Sequence, residues 1–280
     1  MVDPEAPVKD PSDFIGQTGI VRRIFSRVGA ERPQSVAVIG GKKSGKTSLL
    51  AYLADEGVRG RFLENPGRFV FAWESAKSEM SRDPEGFLEG LDRRFPAIPD
   101  PPQNPYERMR RTAEAMHADD KRIVILLDDF HLVTQNGRFP LEFFSFLRSL
   151  ANNFNLAYVT TSFLELQKLC AVKDVQESPF FNIFTNLSLG MLSEGEAAEL
   201  LARCLGSTDG DIKRAAAWCG GSPYVLKTAA NRLSKEKDIG RLEESDFERI
   251  LLPEINPYFE EVVSILNPEA RGPLQSIARG

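Results

Sequence analysis

Apolar positions along this chain follow two different periods. Short apolar runs at 36–39 (Val36-Ala37-Val38-Ile39), 68–73 (Arg68-Phe69-Val70-Phe71-Ala72-Trp73), 123–127, 156–162 and 184–189 have the length and composition of strands. Between them apolar residues recur at helical spacing, as in Ile20, Val21, Ile24, Phe25 and Val28, then after residue 46 and over 84–91, 106–118 and 139–150. Glu31-Arg32-Pro33-Gln34 and the proline-rich stretch from Pro96 to Pro105 separate elements. Ile123 to Leu127 is apolar without a break, as expected of a strand covered on both faces of a parallel sheet. Strands alternating with helices predict an α/β fold with a parallel sheet flanked by helices over residues 14–190. Past 190 the strand signals stop. Ser193 and Glu196 have capping-box spacing, and helices are expected to Cys204, over 211–219 and over 224–233, giving a small helical domain at 191–250. Residues 1–13, rich in Pro, Asp and Glu, read as a loose arm. Residues 251–280 form a last segment that Pro253 and Pro257 are expected to interrupt.

The first strand runs into Gly40-Gly41-Lys42-Lys43-Ser44-Gly45-Lys46-Thr47, and Ser48-Leu49-Leu50 continues in helical register. This is the P-loop pattern in its strand–loop–helix setting. Its glycines let backbone N–H groups converge on a phosphate chain at the positive end of a helix. Lys46 is the expected ligand of the terminal phosphates, and Thr47 of a magnesium ion. Asp128 and Asp129 end the most apolar strand, where open α/β sheets place their ligands. Asp128 is assigned to the metal, directly or through water, and Asp129 to the attacking water. Thr160-Thr161-Ser162 ends the next strand in hydroxyls, and two readings stand: a sensor of the terminal phosphate through water, with Thr161 the candidate, or a strand-end cap. Phe14 and Ile15, upstream of the first helix, suit either an adenine pocket or a helix-entry staple. Phe143, Phe144, Phe146 and Leu147 read as packing, and the arginines at 108, 110 and 111 as a solvated face.

Composition adds exclusions. The chain has 280 residues, ordinary apolar content and a formal net charge of -5, so bulk charge does not favour nucleic acid. No run approaches a membrane span, and the polar, acidic start is unlike a signal peptide, so a cytoplasmic location is expected. Three widely spaced cysteines fit reduced thiols better than a disulfide or zinc framework, and two histidines exclude a His-rich metal site. No guanine-reading N-K-x-D match occurs, which favours adenine.

With these residues in place, the chain resembles the STAND and archaeal-type ATPases, a branch of the AAA+-like P-loop NTPases, from about Phe14 onward. Phe14-Ile15-Gly16-Gln17 is similar to the F-V-G-R entry motif of that group, with Gln17 in place of the arginine. Leu127-Asp128-Asp129-Phe130 resembles its acidic Walker B pair, and Thr160-Thr161-Ser162 its sensor strand. Leu189 to Ser193 and Gly221-Ser222-Pro223 are similar to the start of its helical lid and its G-x-P motif, which implies that Pro223 packs on the nucleotide base. Tyr224 stands near the place where many members carry an arginine, a departure that argues for a switch over a motor. Leu266 to Ala278 looks like the first helix of a winged-helix domain, so the chain is expected to be a fragment of a longer protein. The resemblance implies ATP or ADP with Mg2+, bound by Gly40 to Ser48, Phe14, Ile15 and Pro223. It implies slow hydrolysis to ADP and phosphate, and a homo-oligomer or a protein partner. Arg148 is the candidate for a cation supplied in trans. Two further readings remain open: a nucleic-acid-associated ATPase, and a nucleotide-dependent assembly scaffold with little turnover.

Overall fold

The computed structural model describes residues 3–206, 211–235 and 243–265. They divide into two compact units: Pro7–Gly40 with Lys46–Gly190, and Met191 onward with Gly41–Gly45 and the residues up to Ala6. The first unit holds α1 (Thr18–Val28), β1 (Ser35–Ile39), α2 (Lys46–Ala54), α3 (Glu56–Phe62), β2 (Phe69–Ser75), α4 (Pro84–Asp92), α5 (Pro105–Ala118), β3 (Arg122–Asp128), α6 (His131–Thr134), α7 (Leu141–Asn153), β4 (Leu156–Ser162), α8 (Lys173–Gln176) and β5 (Phe184–Ser188). The five strands form one sheet in the order β2-β3-β4-β1-β5, and every pairing is parallel. This is the parallel α/β sheet flanked by helices that the alternation of strands and helices predicted, with the glycine loop of the P-loop NTPase reading between its first strand and the following helix.

Strand periodicity explains how both faces are covered. Successive side chains of β3 point to opposite sides. Ile123, Ile125 and Leu127 join Tyr158 and residues of α4, α5 and α7 in one apolar layer. Val124 and Leu126 join Val36, Val38, Val159 and residues of α1, α2 and α3 in the other. The first layer contains Phe87, Phe130, Phe139, Phe143, Phe144 and Phe180, all at most 1% exposed. Many of these rings meet edge to face, as Phe87 does with Phe143 at 5.5 Å between centroids. At the amino end of β3, Arg122 Nη1 donates to the carbonyls of Gly29 (3.1 Å) and Ala30 (2.8 Å), just past the end of α1.

The arginines of α5 are engaged by neighbours. Arg108 pairs with Glu89 and Asp92, Arg110 pairs with Glu114, and Arg111 donates to the Asp100 carbonyl. Within the first thirteen residues, Asp10 caps a 3-10 turn at Pro11–Asp13, and Val8 N–H donates to Ser48 Oγ at 2.9 Å.

The second unit contains α9 (Glu194–Leu205), α10 (Asp211–Cys219), α11 (Pro223–Leu233) and α12 (Glu244–Ile265). Ser193 and Glu196 form the full reciprocal capping box at the start of α9. Leu201, Ala215, Leu226, Ala229, Leu233, Phe247 and Leu251 are buried at its centre. Pro253 and Pro257 do not interrupt the chain as the sequence suggested: both lie inside α12. Both are exposed, while Leu251 and Ile255 on the other side of the helix are buried. The carbonyls that lose a partner therefore lie on the wet face. The winged-helix reading of Leu266 to Ala278 falls outside the described residues. Among the described residues no helix is long and apolar enough to cross a membrane.

Candidate functional site

The loop joining β1 to α2 leaves the middle of the sheet, and Gly40 N–H donates to the Ser162 carbonyl at the tip of β4 (3.1 Å). The loop then turns through two left-handed residues, Lys43 (φ 56°) and Gly45 (φ 93°). Only glycine adopts the second without strain. Among the described residues, a Cβ on Gly41 or Gly45 would meet no protein atom within 4 Å, so the backbone there is open to close approach by a ligand. Ser44 Oγ is enclosed yet has no hydrogen-bond partner among the described residues. An orphaned hydroxyl in a curled loop suits a phosphate oxygen. Lys42 and Lys43 group with the helical unit, where Lys42 pairs with Glu261 and Lys43 pairs with Glu5 and lies 3.9 Å from the Tyr224 ring centroid.

Lys46 and Thr47 open α2, anchored by the buried Leu49, Leu50 and Leu53. Lys46 Nζ donates to its own loop, at the Gly40 carbonyl (2.8 Å). Burial holds its pKa below the usual lysine value, against the opposing pull of Asp129 and Asp128. Thr47 Oγ1 donates to Asp128 Oδ2 at 2.8 Å, and Asp128 Oδ1 accepts from Thr161 Oγ1 at 2.7 Å. Thr161 Oγ1 in turn accepts the backbone N–H of Asp129 at 2.8 Å. The hydroxyl, fully buried, thus donates to the Asp128 carboxylate and accepts from the Asp129 N–H, tying the acidic pair together. Asp129 sits just beyond β3 with φ 51°, a conformation that aspartate tolerates better than most residues. Phe130 then plunges into the aromatic layer, its N–H on the Thr161 carbonyl at 3.0 Å.

The structure therefore brings Lys46, Thr47, Asp128, Asp129 and Thr161 into one hydrogen-bonded and electrostatic cluster, although they come from three separate stretches of chain. Thr47 and Asp128 offer hard oxygen donors side by side, a set that fits magnesium with the rest of its shell left to water and phosphate. The other assigned residues have surroundings of their own. Phe14 stacks on Tyr52 at 4.4 Å between centroids, and Ile15 is buried. Gly16 and Gln17 both have positive φ, and Gln17 Nε2 donates to the Gly190 carbonyl. Ser48 Oγ is engaged by Val8 N–H. Pro223 occupies the first turn of α11, capped by Ser222. A Cβ on Gly221 would come within 2.2 Å of the Leu192 carbonyl oxygen, so packing alone demands that glycine.

Two residues of the cluster carry no motif. Lys77 Nζ is 2.5 Å from Asp129 Oδ2, and this bond holds the lysine pKa above its usual value, against desolvation. His131 Nδ1 lies 4.0 Å from Asp129 Oδ1, enclosed and without a hydrogen bond, and burial lowers the imidazole pKa. The sequence signal for Lys77 was a cation just past a strand end. That for His131 was a histidine two residues past an acidic pair.

A central phosphate-type loop, the acidic tip of β3 and the parallel sheet define a P-loop NTPase of the AAA+ and STAND type. A family model described as an AAA domain matches residues 27–168. A second, described as Novel STAND NTPase 2, matches residues 106–262, more than half of the chain, and the chain belongs to that family. No curated protein matches the chain in sequence. Among solved structures, it is similar to the Walker-type ATPase PABY2304 of Pyrococcus abyssi (14% identity, 98% of this chain and 79% of that one, TM-score 0.62). It is also similar to the Aeropyrum pernix ORC2 protein in ADPNP–ADP complexes (14%, 90% and 69%, TM-score 0.57). A third likeness is to domain III of the Thermotoga maritima replication initiation protein DnaA (15%, 90% and 99%, TM-score 0.57). At such identities the likeness is one of fold.

Proposed function

We propose that this chain binds ATP with Mg2+ and hydrolyses it slowly to ADP and phosphate, as a switch that couples nucleotide state to the helical domain and to self-association or a protein partner. The observation that carries the reading is the hydrogen bond from Thr47 to Asp128, which joins the end of the glycine loop to the acidic strand tip across 81 positions of sequence. In this reading the N–H groups of the loop between Gly40 and Lys46 and the Lys46 ammonium take the phosphates, while Thr47 and Asp128 take the metal. Asp129 orients and deprotonates water. Thr161 acts by holding both aspartates in place. Phe14, Ile15 and Pro223 keep the base-side role that the family resemblance implies. The ADPNP–ADP complexes of the Aeropyrum pernix neighbour support adenine nucleotides as the first to try. The test is Mg-ATP binding and turnover by the intact chain beside Lys46→Ala and Asp129→Asn. Lys46→Ala is expected to lose ATP binding. Asp129→Asn is expected to keep binding and lose turnover. Equal ATP affinity in the parent and Lys46→Ala would sink the reading.

A second reading, association with DNA, draws on the Aeropyrum pernix ORC1 protein solved in complex with DNA (14% identity, TM-score 0.56). The net charge of -5 and the internal engagement of Arg108, Arg110 and Arg111 weigh against it. Absence of DNA binding at low salt would remove it.

A further inference from the structure

A phosphoryl transfer of this kind is accelerated by positive charge on the terminal phosphate in addition to the loop lysine and the metal. The sequence offered only Arg148 of a second copy for that role. In the structure Arg148 is half-buried, with its Nε enclosed. Lys77 is placed quite differently. It follows β2 directly, and the last residue of that strand, Ser75, stands in register with Asp128. The turn that carries it is fixed on both sides: Ala76 N–H donates to the Asp128 carbonyl (2.9 Å), and Ser81 Oγ donates to the Ser75 carbonyl (3.0 Å). From this rigid base the Lys77 stem extends with its side chain 70% exposed, whereas the Asp129 carboxylate it reaches is 13% exposed. The backbone is set, and the four-carbon stem is free to swing.

We infer that Lys77 is a catalytic cation supplied in cis, which neutralises Asp129 in the resting site and moves to the terminal phosphate oxygens during hydrolysis. The inference rests on the proposed ATP hydrolysis and adds a residue to it. In the step it serves, the water oxygen bonds to the γ-phosphorus as the bond from that phosphorus to the β,γ-bridging oxygen breaks. ADP leaves with the electron pair, and the water proton passes to Asp129 and then to phosphate or solvent. Moving Lys77 from the carboxylate to the phosphate stabilises the oxygens that carry the developing charge. A site that holds this cation in its own chain needs none from a neighbour.

The experiment measures kcat, KM and the ATP dissociation constant for the intact chain, Lys77→Ala and Lys77→Arg over a hundredfold range of protein concentration. It also measures an equimolar mixture of Lys77→Ala and Asp129→Asn. We expect Lys77→Ala to lower kcat by about 10²–10³-fold with ATP affinity little changed, and Lys77→Arg to recover most of that loss. Turnover per molecule of the parent should stay constant on dilution, and the mixture should gain nothing over its components. Unchanged or raised kcat in Lys77→Ala overturns the inference, because the lysine would then only restrain Asp129. Complementation in the mixture, a per-molecule rate that falls on dilution, or a parent chain that binds Mg-ATP without turning it over also overturns it. Failure of the parent to bind Mg-ATP strikes the proposed function itself, and the binding measurement separates that outcome from the others.

Discussion

The two apolar layers that sandwich the sheet differ in composition and support different halves of the site. The layer under α1, α2 and α3 is mostly aliphatic, with Val36, Val38, Leu49, Leu50, Leu53, Val124, Leu126 and Val159. It seats the first turn of α2, and so Lys46 and Thr47. The opposite layer is richer in phenylalanine, and one of its rings, Phe130, is the residue directly after Asp129. Phe130 lies 6.2 Å from both Phe87 and Phe180 between centroids. A helix start needs only a packed stripe to hold it. A left-handed aspartate needs its successor pinned, and a large ring with two rotatable side-chain bonds does that at little entropic cost. The glycine-loop half and the acidic half of the site are therefore anchored in separate cores.

Truncating the anchors should separate the two halves most sharply. Phe130→Ala should cost about 3–5 kcal/mol and Leu50→Ala about 2–5 kcal/mol in denaturant unfolding. Under conditions where both remain folded, Phe130→Ala should lower kcat, and Leu50→Ala should raise the ATP dissociation constant. If both variants moved the same parameter, the division between layers would be broken. Next in size is the hydroxyl that bridges the acidic pair. Thr161→Val leaves the Asp129 N–H unpaired and Asp128 short of a donor, which should cost about 1–3 kcal/mol, whereas Thr161→Ser should restore most of it. Smaller again is the backbone term at Asp129: Asp129→Ala should be about 1–2 kcal/mol less stable than Asp129→Asn, because asparagine tolerates a positive φ and alanine does not. The smallest effect is a slope. The folded pKa of His131 lies below its unfolded value of about 6.5. The unfolded chain therefore takes up this proton first, and stability is lost as pH falls through that value towards the folded pKa. Unfolding free energies of the parent and His131→Asn, followed downward from pH 7.5, should diverge by no more than about 1.4 kcal/mol per pH unit.

The sequence carried the strands well, because each is a compact apolar run: β4 occupies Leu156–Ser162, the stretch that composition marked. Helix α3 escaped because Gly57 and Gly60 break its spacing within seven residues. The acidic strand was read through Asp129. In the structure pairing stops at Asp128, and Asp129 turns into left-handed space, a change that no hydropathy pattern reports. Lys77 showed in the sequence only as a cation past a strand end, for a different reason. Its nearness to Asp129 depends on β2 lying beside β3 in a particular register, and strand order is a property of the whole sheet. Thr161 was legible as a strand-end hydroxyl, but its hydrogen bonds to the acidic pair depend on β4 lying beside β3.

The guanidinium of Arg122 gives the acidic strand a tether at the end far from the chemistry. It grips two carbonyls just past α1, the helix that Gly16 and Gln17 introduce. Shortening that tether to lysine would loosen the link between the root of β3 and the end of α1 without touching Lys46, Thr47, Asp128 or Asp129.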